Sequence, residues 1–430
     1  MTDTPEATHK LDTMAVHAGT APDPTTKARI TPIYQTTSYV FDDVEHASRL
    51  FNLQEFGNIY TRIMNPTNAA LEGKIAAMEG GAAALGVASG HAAQFLTFHT
   101  LMEPGCEIVA AKKLYGGSLN QLGHSFRKMD WHTKFVDADD PAKVAEAITD
   151  KTRAVFIESL ANPGGVVQDI EAIAKVAHDA GVPLVVDNTM ATPMLCRPIE
   201  HGADIVVHSA TKFLNGHGNS IGGLIVDSGK FDWTASDKFP TMTQPNDSYH
   251  GAVFTEAVGP IAFVIACRVL GLRDLGPAMA PMNAFLALTG METLALRMER
   301  HCSNGLALAQ WLQQHPKVDW VSYAGLPDSP YHALAQKYLG GKGGSVFTFG
   351  LNGGYDAGVK LVSSVKLFSH LANLGDTRSL IIHPASTTHS QLSEAELAAA
   401  GAGADVVRVS VGIEHIDDII ADLSQGLDQI

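Results

Sequence analysis

The chain has 430 residues, 45% hydrophobic and 17% charged, too much for one ordinary core and suited to a well-packed globule of two or three domains. Acids outnumber bases 45 to 30, and the resulting charge of −15 opposes docking on nucleic acid or on an anionic membrane, so neither is expected as a partner. No apolar run approaches the roughly 18 residues of a bilayer span. The opening MTDTPEATHK is neither a secretory signal nor an Arg-rich transit peptide, which makes a cytoplasmic protein the expectation. Cys106, Cys196, Cys267 and Cys302 are scattered with no C-x-x-C pair, and they read as reduced thiols rather than a disulfide framework or a zinc site. The histidines show no H-E-x-x-H spacing, and no metal is expected.

Residues 1–65 are expected to form an irregular arm that packs on something else. Pro22, Pro24, Pro32 and Pro66 punctuate it, and segments such as Ile33-Tyr34-Gln35-Thr36-Thr37-Ser38-Tyr39 have no helical period. From 66 to about 290 helix and strand alternate. Helices are expected over 67–79, 91–102 and 167–180, and short apolar strands over 106–111, 132–137, 153–158, 182–187, 204–208 and 221–226. That alternation predicts an α/β fold, a doubly wound and mostly parallel sheet buried on both faces. Residues 228–255 break the rhythm with Trp233, Pro240 and Pro245 and read as an insertion. A helical region rich in Leu, Ala, Met and Arg follows over 283–315. Residues 291–430 are expected to form a smaller α+β domain with strands at 345–350 and 406–411.

Two glycine-rich loops fail as nucleotide motifs. Gly340–Ser345 lacks the residue order of a P-loop, and Gly216–Gly222 has the wrong third glycine for a dinucleotide fingerprint. The informative stretch is His208-Ser209-Ala210-Thr211-Lys212-Phe213-Leu214-Asn215-Gly216-His217-Gly218, just past the apolar run Ile205-Val206-Val207. An earlier run of the same kind, Pro183-Leu184-Val185-Val186, ends on Asp187. A lysine that condenses with an aldehyde and an acid that holds a pyridinium nitrogen are the two groups that pyridoxal 5′-phosphate (PLP) chemistry needs from a protein. Ser209 and Thr211 add hydroxyls suited to a phosphate. A lysine after a strand, taken alone, is also an ordinary solvated residue.

Ala88-Ser89-Gly90-His91 offers an N-cap and a close-approach glycine ahead of an apolar helix, which makes either an anion site or simply a capped helix. Tyr60-Thr61-Arg62 places a phenol and a guanidinium two residues apart, as a phosphate clamp reaching into another subunit or as a solvated pair. Tyr115, in Tyr115-Gly116-Gly117, suits stacking on a flat ring and equally a place in the core. Asn162 follows the strand that ends at Glu158 and is placed to donate to a phenolic oxygen, and Pro163-Gly164 is expected to turn the chain away. These groups fall at the carboxyl ends of strands, where open α/β sheets bind their ligands. Arg408 sits between Val407 and Val409, where it serves a carboxylate or lies on an exposed strand face.

Ser209–Gly218, Asp187-Asn188-Thr189, Ser89-Gly90, Tyr60 with Arg62, and Arg408-Val409-Ser410-Val411-Gly412 together resemble the Cys/Met-metabolism PLP-dependent enzymes. The resemblance runs from about Val16 to the C-terminus. It implies PLP fold type I, with an aspartate-aminotransferase-like large domain. Four stretches resemble the members that perform γ-replacement on O-acetyl-L-homoserine with sulfide or methanethiol, giving homocysteine or methionine plus acetate. They are VHAGTAPDPTT from Val16, Pro32–Phe41, the insertion ending Ser248-Tyr249-His250-Gly251, and NLGDTRSLIIHPASTTH from Asn373.

By that resemblance Lys212 would hold PLP, Asp187 would hold its pyridine nitrogen, and Tyr115 would stack on the ring and act as a second acid/base. Ser89, Gly90, His91, Ser209 and Thr211 would bind the phosphate, joined by Tyr60 and Arg62 from a neighbouring subunit of a tetramer built from dimers. Thr189 and Asn162 would complete the cofactor site. Arg408, Asn162, Tyr60 and Asn373 would face the amino-acid substrate. Two departures stand out: Gly117 where methionine γ-lyases carry a cysteine, and Asn373 before Leu374-Gly375 where related lyases usually carry serine. Both weaken the alternative of a γ-lyase acting on methionine or cystathionine. A non-catalytic amino-acid-binding protein of the same fold is a remoter alternative.

Overall fold

The computed structural model describes residues 9–52, 54–162, 165–388, 390–391, 397 and 401–430. A seven-stranded sheet in the order β1-β9-β8-β7-β4-β2-β3 is built from β1 (Ala83–Val87), β2 (Glu107–Ala111), β3 (His132–Val136), β4 (Thr152–Glu158), β7 (Leu184–Asp187), β8 (Ile205–Ser209) and β9 (Gly223–Asp227). Between β4 and β7 a small hairpin pairs β5 (Leu160–Ala161) with β6 (Val166–Val167). Only β9 runs against the other strands of the large sheet. It does so because the 210–222 segment doubles back from β8 without a crossover helix, and a parallel neighbour needs such a crossover. Both faces are covered, so the strands are continuous apolar runs: every residue of Val155–Ile157, Leu184–Val186 and Ile205–Val207 is at most 1% exposed.

The six expected β runs are all strands within two residues of their expected bounds. Strand β1 was not expected.

The arm is not wholly irregular. It carries α1 (Leu11–His17) and α2 (Val44–Phe51). Helix α1 is only two turns long, and the fully buried Lys74 amine supplies partners for its end, donating to the carbonyls of Ala15 at 2.7 Å and Val16 at 3.1 Å. Asp43 caps α2 by accepting from the amide of His46 at 2.6 Å. Helix α3 (Pro66–Glu79) starts on the Asn65 cap with proline in its first turn, and α4 (Gly90–Leu101) starts on the Ser89 cap.

One expectation needs correction. The helical stretch Phe254–Leu275, 22 residues whose most apolar 18 have a mean hydropathy of 1.6, is long and apolar enough to cross a membrane by length and composition. Its apolar content serves the core instead: Cys267 Sγ meets Thr100 Oγ1 of α4 at 3.1 Å, and the amide of Val264 donates to Asp227 at 3.2 Å.

A second sheet, ordered β10-β11-β14-β13-β12, comprises β10 (Val318–Ser322), β11 (Val346–Leu351), β12 (Ser369–His370), β13 (Leu380–Ile382) and β14 (Val406–Ser410). Its core of Phe347, Phe349, Val407, Val409 and Leu423 is separate from that of the large sheet. The region expected as helix over 283–315 is two helices, Pro281–Glu292 and Leu294–Gln313. The second of them joins the cores, with Leu294 and Met298 in one and Leu308 and Leu312 in the other.

Candidate active site

The ends of β4, β7 and β8, the start of α4 and the near edge of the second sheet enclose a cavity of about 290 Å³. It is lined by Lys212, Asp187, Ser89, Gly90, His91, Tyr115, Ser209, Thr211, Asn162, Thr189, Asn373 and Arg408, every candidate except Tyr60 and Arg62. The turn expected at Pro163-Gly164 lies outside the described residues.

One end of the cavity is built for an anion. Ser89 Oγ accepts from the amide of Ala92 at 3.1 Å, so the first amides of α4, on Gly90 and His91, are those with no acceptor inside the helix. Gly90 lets α4 sit directly on the loop after β8. A Cβ there would come within 2.7 Å of Ser209 Cβ. The Ser209 hydroxyl has no protein partner among the described residues, while its amide donates to Thr189 Oγ1 at 2.8 Å. Thr211 Oγ1 accepts from the amide of Gly222 at 3.1 Å and pins the loop on which it stands.

Further in, two acids stand side by side. Asp187 Oδ2 accepts from Gln94 Nε2 at 3.1 Å and Oδ1 from the amide of Thr189 at 3.0 Å, which leaves the carboxylate aimed and fixed. Glu158 is its neighbour across the β4–β7 register. Burial first, and then the charge of Asp187, push the Glu158 carboxyl up to about 8. Tyr115 follows β2 with its ring 5.9 Å from that of His91 and inclined at 60°, and nearly half of it is exposed to the cavity side.

Opposite lie the basic groups. Lys212 Nζ donates to Asn373 Oδ1 at 2.5 Å and has no acidic partner among the described residues. Burial, and next the charge of Arg408, lower its amine to about 8. Arg408 reaches from β14, where its strand neighbours are Thr348 and Ile382. Its Nη2 donates to the Asn373 carbonyl at 3.2 Å and its Nη1 to Asn162 Oδ1 at 3.4 Å. No carboxylate pairs with it among the described residues. A desolvated guanidinium with only neutral partners is a seat for a carboxylate brought from outside. An unpaired amine, a fixed acid, an aromatic ring and an anion cap in one cavity are the donor set that PLP requires, so the residues fit that cofactor.

Residues 12–428 match the model of the Cys/Met metabolism PLP-dependent enzymes. The chain belongs to that family. It is 52% identical to the O-acetyl-L-homoserine sulfhydrylase of Leptospira meyeri over 98% of this chain and 97% of that protein. It is also 52% identical to the homocysteine synthase of Schizosaccharomyces pombe over 99% of both chains. A crystal structure assigned as an O-acetylhomoserine (thiol)-lyase of Campylobacter jejuni, which holds N′-pyridoxyl-lysine-5′-monophosphate, superimposes with a TM-score of 0.94 at 38% identity, covering 98% of this chain and all of that one.

In this member of the PLP-dependent family, Tyr60 and Arg62 lie outside the cavity of their own chain. The Arg62 guanidinium sits 5.3 Å from the centre of the Tyr60 ring and donates to the carbonyl of Arg273. The cavity also contains residues that the sequence reading did not assign: Gln94, Glu158, Leu160, Met190, Ile221, Leu374 and Thr388. Glu158 carried a legible signal, since it ends an apolar strand as Asp187 does. Gln94, inside an otherwise apolar helix, carried a weaker one.

Proposed function

We propose that this chain catalyses γ-replacement on O-acetyl-L-homoserine, in which sulfide takes the place of acetate at Cγ and yields L-homocysteine. Methanethiol at the same position would give methionine. The observation that carries the proposal is one cavity shared by Lys212, a fixed Asp187 and an Arg408 that has no carboxylate partner among the described residues. PLP, when bound, supplies the electron sink that makes the substrate Cα proton removable.

The chain does the rest. Arg408, assisted by Asn162, binds the substrate carboxylate and sets which face of Cα meets Lys212. Asp187, held by Gln94 and Thr189, keeps a proton on the ring nitrogen. Ser89, Gly90, His91, Ser209 and Thr211 hold the phosphate, and Tyr115 covers the ring. An amine lowered to about 8 exchanges between its two protonation states near neutral pH. With the substrate amine bound at the cofactor, Lys212 Nζ would therefore take the Cα proton and move protons between Cα and Cβ. Asn373 Oδ1 steadies Nζ between these positions, and Tyr115 is a second proton carrier. Acetate leaves from Cγ and the thiol adds there.

The sequence of Tyr60 and Arg62, exposed apolar residues of the arm such as Val40, Phe51 and Phe56, and the absence of Tyr60 and Arg62 from their own cavity support a tetramer built as a dimer of dimers, in which this pair completes the phosphate seat of a neighbouring copy. Cytoplasmic localisation fits the acidic composition.

A γ-lyase reading is disfavoured at one position. A Cβ on Gly117 would lie 2.4 Å from Tyr115 Cε1 and 2.8 Å from His91 Cε1, so the cysteine of methionine γ-lyases has no room while Tyr115 keeps this pose. The deciding assay supplies O-acetyl- and O-succinyl-homoserine, each with sulfide and with methanethiol, and methionine alone as control. Homocysteine and acetate in equal amounts are expected. Faster release of 2-oxobutyrate from methionine would sink the proposal.

A further inference from the structure

Glu158 takes part in no step described above, yet it lines the cavity and only 4% of it is exposed. It ends β4 directly beside Asp187. Its two oxygens serve different segments: Oε1 accepts the amide of Tyr115 at 2.6 Å, and Oε2 accepts the amide of Asn162 at 3.2 Å. One segment leaves β2, parallel to β4, and the other leaves β5, four residues beyond Glu158 itself. Asn162 in turn touches Arg408 through its side-chain oxygen.

We infer that Glu158 is a positioning residue that fixes the separation of Tyr115 and Asn162 across the cavity and, through Asn162, the direction of the Arg408 guanidinium. The inference rests on the placement of ring and substrate carboxylate proposed above. Chemistry explains why an acid stands here. A carboxyl group offers two oxygen acceptors in one plane, whereas glutamine offers one oxygen and turns an NH₂ group against the second amide. Burial and the neighbouring charge of Asp187 raise the carboxyl, and the two amides it accepts oppose that rise because they favour the charged form.

Glu158→Gln, which keeps the volume, is the test. With the PLP-loaded enzyme, L-norvaline serves as a carboxylate-bearing analogue without a leaving group, and its binding is read from the visible absorbance. The variant should bind L-norvaline about ten-fold more weakly, the effect of one lost hydrogen bond to a buried group. KM for O-acetyl-L-homoserine should rise by a similar factor. The PLP dissociation constant, from fluorescence titration of cofactor-free protein, should change less than the L-norvaline affinity does, and the denaturation midpoint should fall only modestly, as one lost buried hydrogen bond requires. Asn162→Ala should also weaken L-norvaline binding, and the double variant should lose less than the product of the two effects, because both act on one chain of contacts.

Wild-type L-norvaline affinity in Glu158→Gln, a lowered denaturation midpoint as its only change, or fully multiplicative effects in the double variant would each overturn the inference. Should Glu158→Gln yield no soluble protein, Glu158→Asp keeps the charge but withdraws the carboxyl by one methylene. It should show the same weakening, and wild-type affinity there would also overturn the role. L-norvaline binding requires no turnover, so a chain without sulfhydrylase activity would defeat the proposed function and leave this readout intact.

Discussion

The ends of β4, β7 and β8 present two faces that differ by one residue in sequence. Glu158, Asp187 and Ser209 face the cavity, and their chain neighbours Ser159, Asn188 and His208 point to the other side, as the two-residue period of a strand requires. On that rear side the polar groups close on one another. Glu79 Oε1 accepts from His208 Nε2 at 2.6 Å and from Asn188 Nδ2 at 2.8 Å, and Asn188 Oδ1 accepts from Ser159 at 2.7 Å. Glu79 and His208 are wholly buried. On the cavity side Lys212 has one neutral partner, Arg408 has no carboxylate and the Ser209 hydroxyl has none at all among the described residues. Pairing among Glu79 Oε1, His208 Nε2, Asn188 and Ser159 holds the strand ends in place, although Glu79 Oε2 and His208 Nδ1 have no partner among the described residues, and the charged and hydroxyl groups left open toward the cavity are those that await a ligand.

If the two faces differ in this way, mutations on them should fail differently. Lys212→Ala should abolish turnover and the visible absorbance of the lysine-bound cofactor. It should leave the denaturation midpoint unchanged or raised, because the buried amine is held below its usual range and its charged form destabilises the folded protein. His208→Ala should do the reverse. It leaves the Glu79 carboxyl buried without its main partner, at a cost of about 3–5 kcal/mol in denaturant unfolding, while the folded fraction keeps a near-normal KM. A stable His208→Ala protein with a strongly raised KM would erase the distinction between the faces.

The same alternation explains what was legible in the sequence. Strands β4, β7 and β8 were readable because burial on both faces makes them unbroken apolar runs, and the acid or hydroxyl ending each run marked the cavity. Strand β1, Ala83-Ala84-Leu85-Gly86-Val87, has two alanines and an interior glycine, so it carries little β signal. The arm helices differ in their signal: α1 has no side-chain cap, whereas α2 starts on the Asp43 cap but is only eight residues long. The closing of Lys212 on Asn373 spans 161 positions of sequence, and only the packing of the second sheet on the first brings the two together. Glu158 ends an apolar strand as Asp187 does, so the same signal marks it.

A smaller loss should separate binding from chemistry on the cavity face itself. Arg408→Gln should raise KM for O-acetyl-L-homoserine on the order of 10²-fold, the effect of about 3 kcal/mol from a lost charge-assisted pair of bonds, with the cofactor retained. Arg408→Lys should recover only part of it, because an ammonium has no planar fork. An unchanged KM in Arg408→Gln would remove the arginine from the substrate seat.

The finest effect is one of pH, and it reads the Lys212 environment directly in the cofactor-free protein. A protonated amine cannot attack an aldehyde. With the amine lowered to about 8, PLP uptake should quicken roughly ten-fold per pH unit up to that point and level off above it. Stability carries the matching sign. The unfolded lysine titrates near its ordinary value of 10.5, so between about 8 and that value the unfolded chain binds more protons, and the lysine's contribution to stability rises with pH across this window and is flat below it. Arg408→Gln removes the lesser cause of the depression and should move the uptake inflection upward, though not back to the value of an exposed lysine, because burial is the larger cause. A wild-type inflection near that of an exposed lysine would mean that the amine is solvated, and the two faces of the strand ends would then differ in their neighbours but not in their environment.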